Sequence, residues 1–546
     1  MKLCRKARES LPDDSRQLMK GAVILTLAAF IIKILSAVYR VPFQNIVGDT
    51  GFYIYQQVYP LYGIASVLAA SGFPVIISRI VAKKVAENEE GQADLQRILQ
   101  TIFIVLFIVG VSLFLFVFFG AKAIAGWMGD PLLAPVVQVI AFPFLLLPFL
   151  SVWRGVFQGS GNMAPTAVSQ VTEQFIRVAA ILIISYFLVN KGFSLYETGR
   201  GAWTGAVVGG LAGLVIMSSY VRKTGLNVFS FQRLSIRELL SVGKIVVFYG
   251  TAICFSGLLL ILFQLVDSLN LYTLLVQSGW QMEEAKSLKG VFDRGQPLIQ
   301  LGTVAATSMS LALIPAVTTA WTQGNTEILQ KKVMTTLKVS LAVGLGAAVG
   351  LMNIIKPTNI MLFKNADGSG VLAVLASAIL LASIIITLSG VLQGLGQMMA
   401  PAKYILLGTV CKYFGNLVLV PMFGLAGAAW ATVIGLLVVC LLIMLKLNSY
   451  FPIRSVLWHS FPRLTSAAVA MTIVLQIWLF VLNQLGMQGR LFNAIVALTG
   501  VVIGGLAYLV VMMQMNLFTE EEISHVPYYS KLKRFIRIGQ KERRQK

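Results

Sequence analysis

Two cations sit where a bilayer-spanning helix should carry none. Lys33 and Arg40 fall inside and at the end of the apolar run from Gly21 to Val41, and a run of that length crosses about 30 Å of hydrocarbon. Seven residues, two helical turns, separate them, so they share one face with Ser36 and Ala37. A cation at membrane depth costs roughly 2.5–3.5 kcal/mol and turns toward a bundle interior or a watery cavity. Taken singly, Arg40 can snorkel to an interface and Lys33 can pair with a buried acid. On one stripe they predict a cavity that attracts an anion. Arg294, in Phe292-Asp293-Arg294-Gly295-Gln296-Pro297, heads another apolar run. It reads either as an interfacial anchor or, with Asp293 beside it, as part of the same lining. Guanidinium groups match phosphate oxygens in forked geometry, and lysine acts as a point charge.

Other polar residues within apolar runs are candidates of a second kind. Asp267, in Phe263-Gln264-Leu265-Val266-Asp267-Ser268, can take a proton or a sodium ion if it is unpaired. Glu173 and Arg177 are four residues apart and are expected to pair on one helix face; otherwise Glu173 is a second candidate for ion coupling. Arg154 is expected to snorkel toward the cytoplasmic side. Lys412 is either a binding residue of the cavity or a contact to a lipid headgroup.

The elements that must hold these residues are membrane helices. Of 546 residues, 57% are hydrophobic and 12% charged, a composition that excludes a soluble domain of this size and predicts an all-α polytopic membrane protein. Apolar runs of spanning length occur at 21–43, 56–81, 98–121, 132–157, 166–189, 201–221, 241–270, 292–320, 334–356, 371–395, 402–420, 424–446, 464–484 and 492–515. That is about fourteen helices. An even count places both termini on one side. With that side cytoplasmic, 30 of the 44 lysines and arginines lie in its loops and tails, nine lie opposite and five lie within spans, the positive-inside bias of a cytoplasmic-membrane protein. The net charge of +22 thus follows from topology and does not call for nucleic acid. The basic tail from Lys531 to Lys546 reads as a solvated or lipid-surface helix. Four cysteines without a CxxC pair read as small hydrophobes, and two histidines exclude a His-rich metal site. No signal peptide is evident, and no Walker A, GxSxG or HExxH motif is present, so the expected activity is translocation without catalysis and without a cofactor.

An internal repeat organises the chain. Val156-Phe157-Gln158-Gly159-Ser160-Gly161-Asn162-Met163-Ala164-Pro165 recurs as Val391-Leu392-Gln393-Gly394-Leu395-Gly396-Gln397-Met398-Met399-Ala400-Pro401, and Gly201-Ala202-Trp203 echoes Gly427-Ala428-Ala429-Trp430. Pro60 matches Pro297, Ser71 matches Ser308 and Asn88 matches Asn325 at similar offsets. Two parallel six-helix lobes follow, 21–223 and 224–450, between a cytoplasmic tail at 1–20 and two further helices at 451–516, with a basic cytoplasmic tail at 517–546. Parallel repeats place a transporter's substrate between its halves.

The stretch Ala28–Gly48, with its Lys-Ile-Leu-Ser-Ala-Val-Tyr-Arg-Val-Pro-Phe core, resembles the first helix of bacterial lipid-linked oligosaccharide flippases. These are the lipid II flippases and the relatives of stage V sporulation protein B, within the MOP exporter superfamily. Phe292-Asp293-Arg294 with Pro297 and the run to Pro315 resembles their eighth helix, and Val156–Pro165 the glycine-rich turn after the fourth. The resemblance implies two lobes around a central cavity, with helices thirteen and fourteen forming a lipid-accessible groove. It also implies cavity arginines that bind a lipid pyrophosphate, with Arg40 and Arg294 in matching places and Lys33 where an arginine is usual. The expected cargo is lipid II or a related cell-wall or polysaccharide precursor, moved by alternating access. The expected partners are that glycolipid, membrane lipids and the cell-wall synthesis machinery, and the expected drive is a proton or sodium gradient or the membrane potential. Leu61-Tyr62-Gly63-Ile64-Ala65-Ser66 lacks the basic pair that lipid II flippases carry in helix two, which resembles the sporulation branch and leaves the glycolipid open. The alternative is a multidrug cation antiporter of the same superfamily, which would need acids where the first helix offers cations. A membrane glycosyltransferase would need acidic catalytic residues in a large outer loop, and no such loop is visible.

Overall fold

The computed structural model describes residues 14–86, 89–224, 235–515 and Leu517. The residues expected to form the basic tail, and Asn88 of the repeat, lie outside the described residues. Among the described residues the secondary structure is entirely helical. In chain order the first helices are α1 (Asp14–Val38), α2 (Arg40–Val67), α3 (Phe73–Ala86), α4 (Glu89–Phe119), α5 (Ala121–Trp127), α6 (Ala134–Ala141) and α7 (Pro143–Gly159). They continue as α8 (Ala164–Asn190), α9 (Leu195–Thr224), α10 (Ile236–Gln277), α11 (Met282–Asp293), α12 (Gly295–Gly302) and α13 (Val304–Thr322). The remainder are α14 (Thr326–Asn353), α15 (Ile355–Phe363), α16 (Ser369–Gly394), α17 (Met399–Phe423), α18 (Leu425–Asn448), α19 (Ile453–Asn483) and α20 (Arg490–Gln514).

Burial runs inside out relative to a soluble protein. Phe119 is 75% and Leu445 70% exposed, while Arg40, Asp267, Lys289, Asp293 and Arg294 are all at 0%. Apolar side chains facing outward around buried charges are what a bilayer selects. The protein is an all-helical polytopic membrane protein.

Among the described residues, twelve stretches are long and apolar enough to cross a membrane, beside the fourteen or so that the apolar runs predict. Some of the expected runs take a different form in the structure. The expected runs 21–43 and 56–81 merge into one stretch, Val23–Val85, of 63 residues; at 1.5 Å per residue that is about 95 Å, three times a bilayer core. The connecting residues, expected as a loop, are helical, and Phe52, Tyr53, Ile54 and Tyr55 are fully buried. The chain turns instead at Gly48, whose φ of 70° and ψ of −174° interrupt the helix, and at a π turn over Leu68–Gly72. The expected run 292–320 breaks into three pieces, at Arg294 and at Thr303. The Thr303 hydroxyl donates to the carbonyls of Ile299 and Gln300 at 3.0 and 3.1 Å, a back-bonding that bends helices.

Contacts gather the helices into two units. The first comprises residues up to Val304 together with Gly396–Val439, so it draws helices from both sequence halves. Small residues set its closest approaches. A Cβ on Gly209 of α9 would lie 2.7 Å from the Glu173 carbonyl oxygen of α8. One on Gly290 of α11 would overlap the Asp49 carbonyl, and one on Gly72 would overlap the Cys254 sulfur where the π turn crosses α10.

The second unit comprises Ala305–Leu395 and the chain from Cys440 onward. The Ser310 hydroxyl donates to the Ile386 carbonyl at 3.0 Å, joining α13 to α16. The last two helices dock on α14 and α15. The Tyr508 hydroxyl donates to the Ala342 carbonyl at 2.9 Å, Asn353 Nδ2 donates to Thr472 at 3.1 Å, and Arg490 Nε donates to the Met361 carbonyl at 2.8 Å.

Candidate functional site

The sequence-predicted charges Arg40, Asp267, Asp293, Arg294 and Lys412 all fall in the first unit, and most of them meet a partner that the sequence did not name. Arg294 follows the end of α11. Its Nε donates to Asp49 Oδ1 at 3.0 Å, and its terminal nitrogen reaches Asp49 Oδ1 and Oδ2 at 2.7 and 2.6 Å. Asp49 stands immediately after the Gly48 break, where Gln44 Nε2 also donates to it at 2.9 Å. The backbone turn and the absence of a side chain at Gly290 bring this carboxylate to the guanidinium.

Asp293, one residue earlier, is held by Lys289, whose Nζ reaches both carboxylate oxygens at 2.6 and 2.7 Å with both side chains fully buried. That pair is one helical turn apart, so its spacing was available in the sequence. Asp267 and Lys412, predicted separately for ion coupling and for binding, are bonded to each other. Lys412 Nζ donates to Asp267 Oδ2 at 2.6 Å and to the Phe263 carbonyl at 2.7 Å. Asn416 Nδ2 donates to Asp267 Oδ1 at 3.1 Å and to Asn270 Oδ1 at 2.8 Å. These bonds join α10 to α17.

The expected Glu173–Arg177 pair does not form. Glu173 accepts from Arg154 at 2.6 Å, and Arg154, expected to snorkel, is 1% exposed. Arg154 also donates to Ser169 at 2.9 Å, and Ser169 donates to the Gly213 carbonyl at 3.0 Å. The reason is space. A Cβ on Gly213 would come within 3.1 Å of Glu173 Oε2 and 3.3 Å of the Arg154 guanidinium, so this glycine leaves room for a pair between α7 and α8. Arg177 turns the other way, toward α1, and donates to the Ser36 hydroxyl at 3.3 Å.

Arg40 stands apart from all of these. It is fully buried, and among the described residues none of its three guanidinium nitrogens has a hydrogen-bond partner. Its guanidinium carbon lies 4.3 Å from the centre of the Tyr59 ring, and Asp293 is within electrostatic range. A ring contact returns about 2 kcal/mol when desolvated, less than the several kcal/mol that burying an ion costs. Among the described residues, Lys289, Arg294 and Lys412 pair with Asp293, Asp49 and Asp267, and Arg40 is left as a fourth cation without an acid of its own. Lys33 lies half-buried on α1. A buried fork without an acceptor can bind an oxyanion.

Against known proteins, the chain matches the family described as polysaccharide biosynthesis protein over residues 18–321. It is 43% identical over 522 residues to the uncharacterized membrane protein YabM of Bacillus subtilis (strain 168), across 95% of this chain and 96% of that one. It is 27% identical over 528 residues to the lipid II flippase MurJ of the same organism, across 91% and 95% of the two chains. The fold is similar to that of a solved structure of lipid II flippase MurJ in an inward closed conformation, with a TM-score of 0.66 over 90% of this chain and 99% of that one, at 14% identity.

Proposed function

The chain belongs to the polysaccharide biosynthesis protein family, a transporter family of the MOP superfamily, and from that premise we propose that it moves a polyprenyl-pyrophosphate-linked oligosaccharide outward across the bacterial cytoplasmic membrane by alternating access. The cargo is lipid II or a related cell-envelope precursor. The observation that carries this reading is Arg40, a fully buried guanidinium without an acceptor among the described residues. The similarity to a lipid II flippase supports the same cargo class. In this reading the protein is built as two six-helix lobes with the last two helices beside them. The anionic headgroup enters the protein and the polyprenyl tail stays in lipid. Arg294 joins the binding set with Arg40 by exchanging Asp49 for phosphate, and Lys33 adds a point charge from α1. A pump for organic cations would need an uncompensated acid where this protein keeps an uncompensated arginine.

The test is reconstitution in proteoliposomes with a defined polyprenyl-diphosphate sugar, scored for transbilayer movement, with membrane protein level measured alongside. Arg40→Ala is expected to lower transport by about 10-fold or more, the worth of one charge-assisted bond. Full glycolipid transport by a well-expressed Arg40→Ala protein, or transport of organic cations in place of the glycolipid, would overturn the reading.

A further inference from the structure

We propose that Arg177 and Arg40 together form a two-guanidinium receptor matched to a diphosphate, with Arg177 taking the second phosphate. This rests on the flippase reading and adds to it a residue and a charge requirement. Arg177 is 3% exposed, and its partner is the Ser36 hydroxyl at 3.3 Å, while its Nε has none among the described residues. The acid on its own helix face, Glu173, is taken by Arg154. Its guanidinium carbon lies 4.8 Å from the Tyr62 ring centre and 5.9 Å from that of Tyr39. Arg40 sits over Tyr59 in the same group of tyrosines, and both guanidiniums are within electrostatic range of Tyr39 and Tyr55, whose hydroxyls bond each other at 2.8 Å.

Two buried guanidiniums therefore lie within range of one pair of hydroxyls, and among the described residues neither is hydrogen-bonded to a carboxylate. Ring contacts do not neutralise them. A diphosphate esterified at both ends carries one negative charge on each phosphorus, so its two charges balance the two arginines. A phosphodiester would leave one arginine uncompensated. The Tyr39 and Tyr55 hydroxyls, within range of both arginines, can turn to donate to the bridging region. The receptor selects for two phosphates over one by charge count, before any sugar is read.

The test is binding to the full-length protein in nanodiscs. The probes are a short-chain prenyl-diphosphate N-acetylglucosamine and its single-phosphate counterpart, with an anionic phospholipid as a third ligand. Wild type is expected to prefer the diphosphate. Arg177→Gln should weaken diphosphate binding by about 10-fold or more and leave single-phosphate binding nearly unchanged, so the preference collapses. Arg177→Lys keeps the charge and loses the fork, and should retain part of the preference; it also serves if Arg177→Gln fails to accumulate. An unchanged preference in both variants, with binding lost in Arg40→Gln, would overturn the second-phosphate assignment and leave the flippase reading standing. Unchanged binding in Arg40→Gln as well would sink both. Equal preference for the anionic phospholipid in wild type would reassign the receptor to a lipid headgroup and overturn the diphosphate match.

Discussion

Lys412 and Asp267 are 145 residues apart in the chain and 2.6 Å apart in space. Nothing in either neighbourhood of the sequence announces the other, because the bond exists only once α10 and α17 pack. Lys289 and Asp293 differ in this respect, since a one-turn spacing puts their pairing within reach of pattern reading. The Asp267 carboxylate has both oxygens occupied, one by an ammonium and one by an amide. Any gradient coupling through Asp267 therefore requires that ammonium to leave first. Removing one member of such a buried pair strands the other, at about 3–5 kcal/mol. Asp267→Asn and Lys412→Met are each expected to lower thermal stability in detergent by that order, and the double variant to recover most of the loss. Losses that simply add would show that the two side chains are independent. The same logic separates Arg40 from its neighbours: it was legible as a charge in the wrong place, but its lack of an acceptor could be read only from the packed helices.

At the scale of elements, apolar run length located helices well and bounded them poorly. The run 201–221 became Leu195–Thr224, and the run 402–420 became Met399–Phe423. Hydropathy marks the stretch that lipid demands, whereas the helix continues into polar turns that water tolerates. Gly48 falls between the expected runs 21–43 and 56–81, among polar neighbours that resemble a loop, yet the chain is helical on either side of it. Its φ of 70° with ψ near −174° lies in a region open essentially to glycine, and a Cβ there would meet nothing within 4 Å. Gly48→Ala should therefore cost about 1–3 kcal/mol through the backbone alone, shift Asp49, and loosen its hold on Arg294. Gly126 gives the control: it lies inside α5, and a Cβ there also meets nothing within 4 Å. Gly126→Ala should be neutral or stabilising by roughly 0.5–1 kcal/mol. Equal melting temperatures for the two variants would show that the Gly48 turn carries no strain penalty.

For the whole molecule, the basic residues set the expected orientation. With 30 lysines and arginines assigned to one side and nine to the other, both termini are expected in the cytoplasm. Reporter fusions after Lys191 and Lys364 should report the outside, and fusions after Lys223 and Lys332 the inside. A reversed pair within one sequence half would refute the topology. The repeat was legible as two halves of the chain, yet the first contact unit takes Gly396–Val439 from the second half. Sequence offsets record how segments correspond, and packing decides which of them touch. The crossing at Gly72 has a practical corollary. Cys254 is 1% exposed beneath it, with no room for even one more carbon, so a maleimide reaches this thiol only when the two helices part. Its alkylation rate is a built-in clock for that event, readable peptide by peptide without adding a label to the protein.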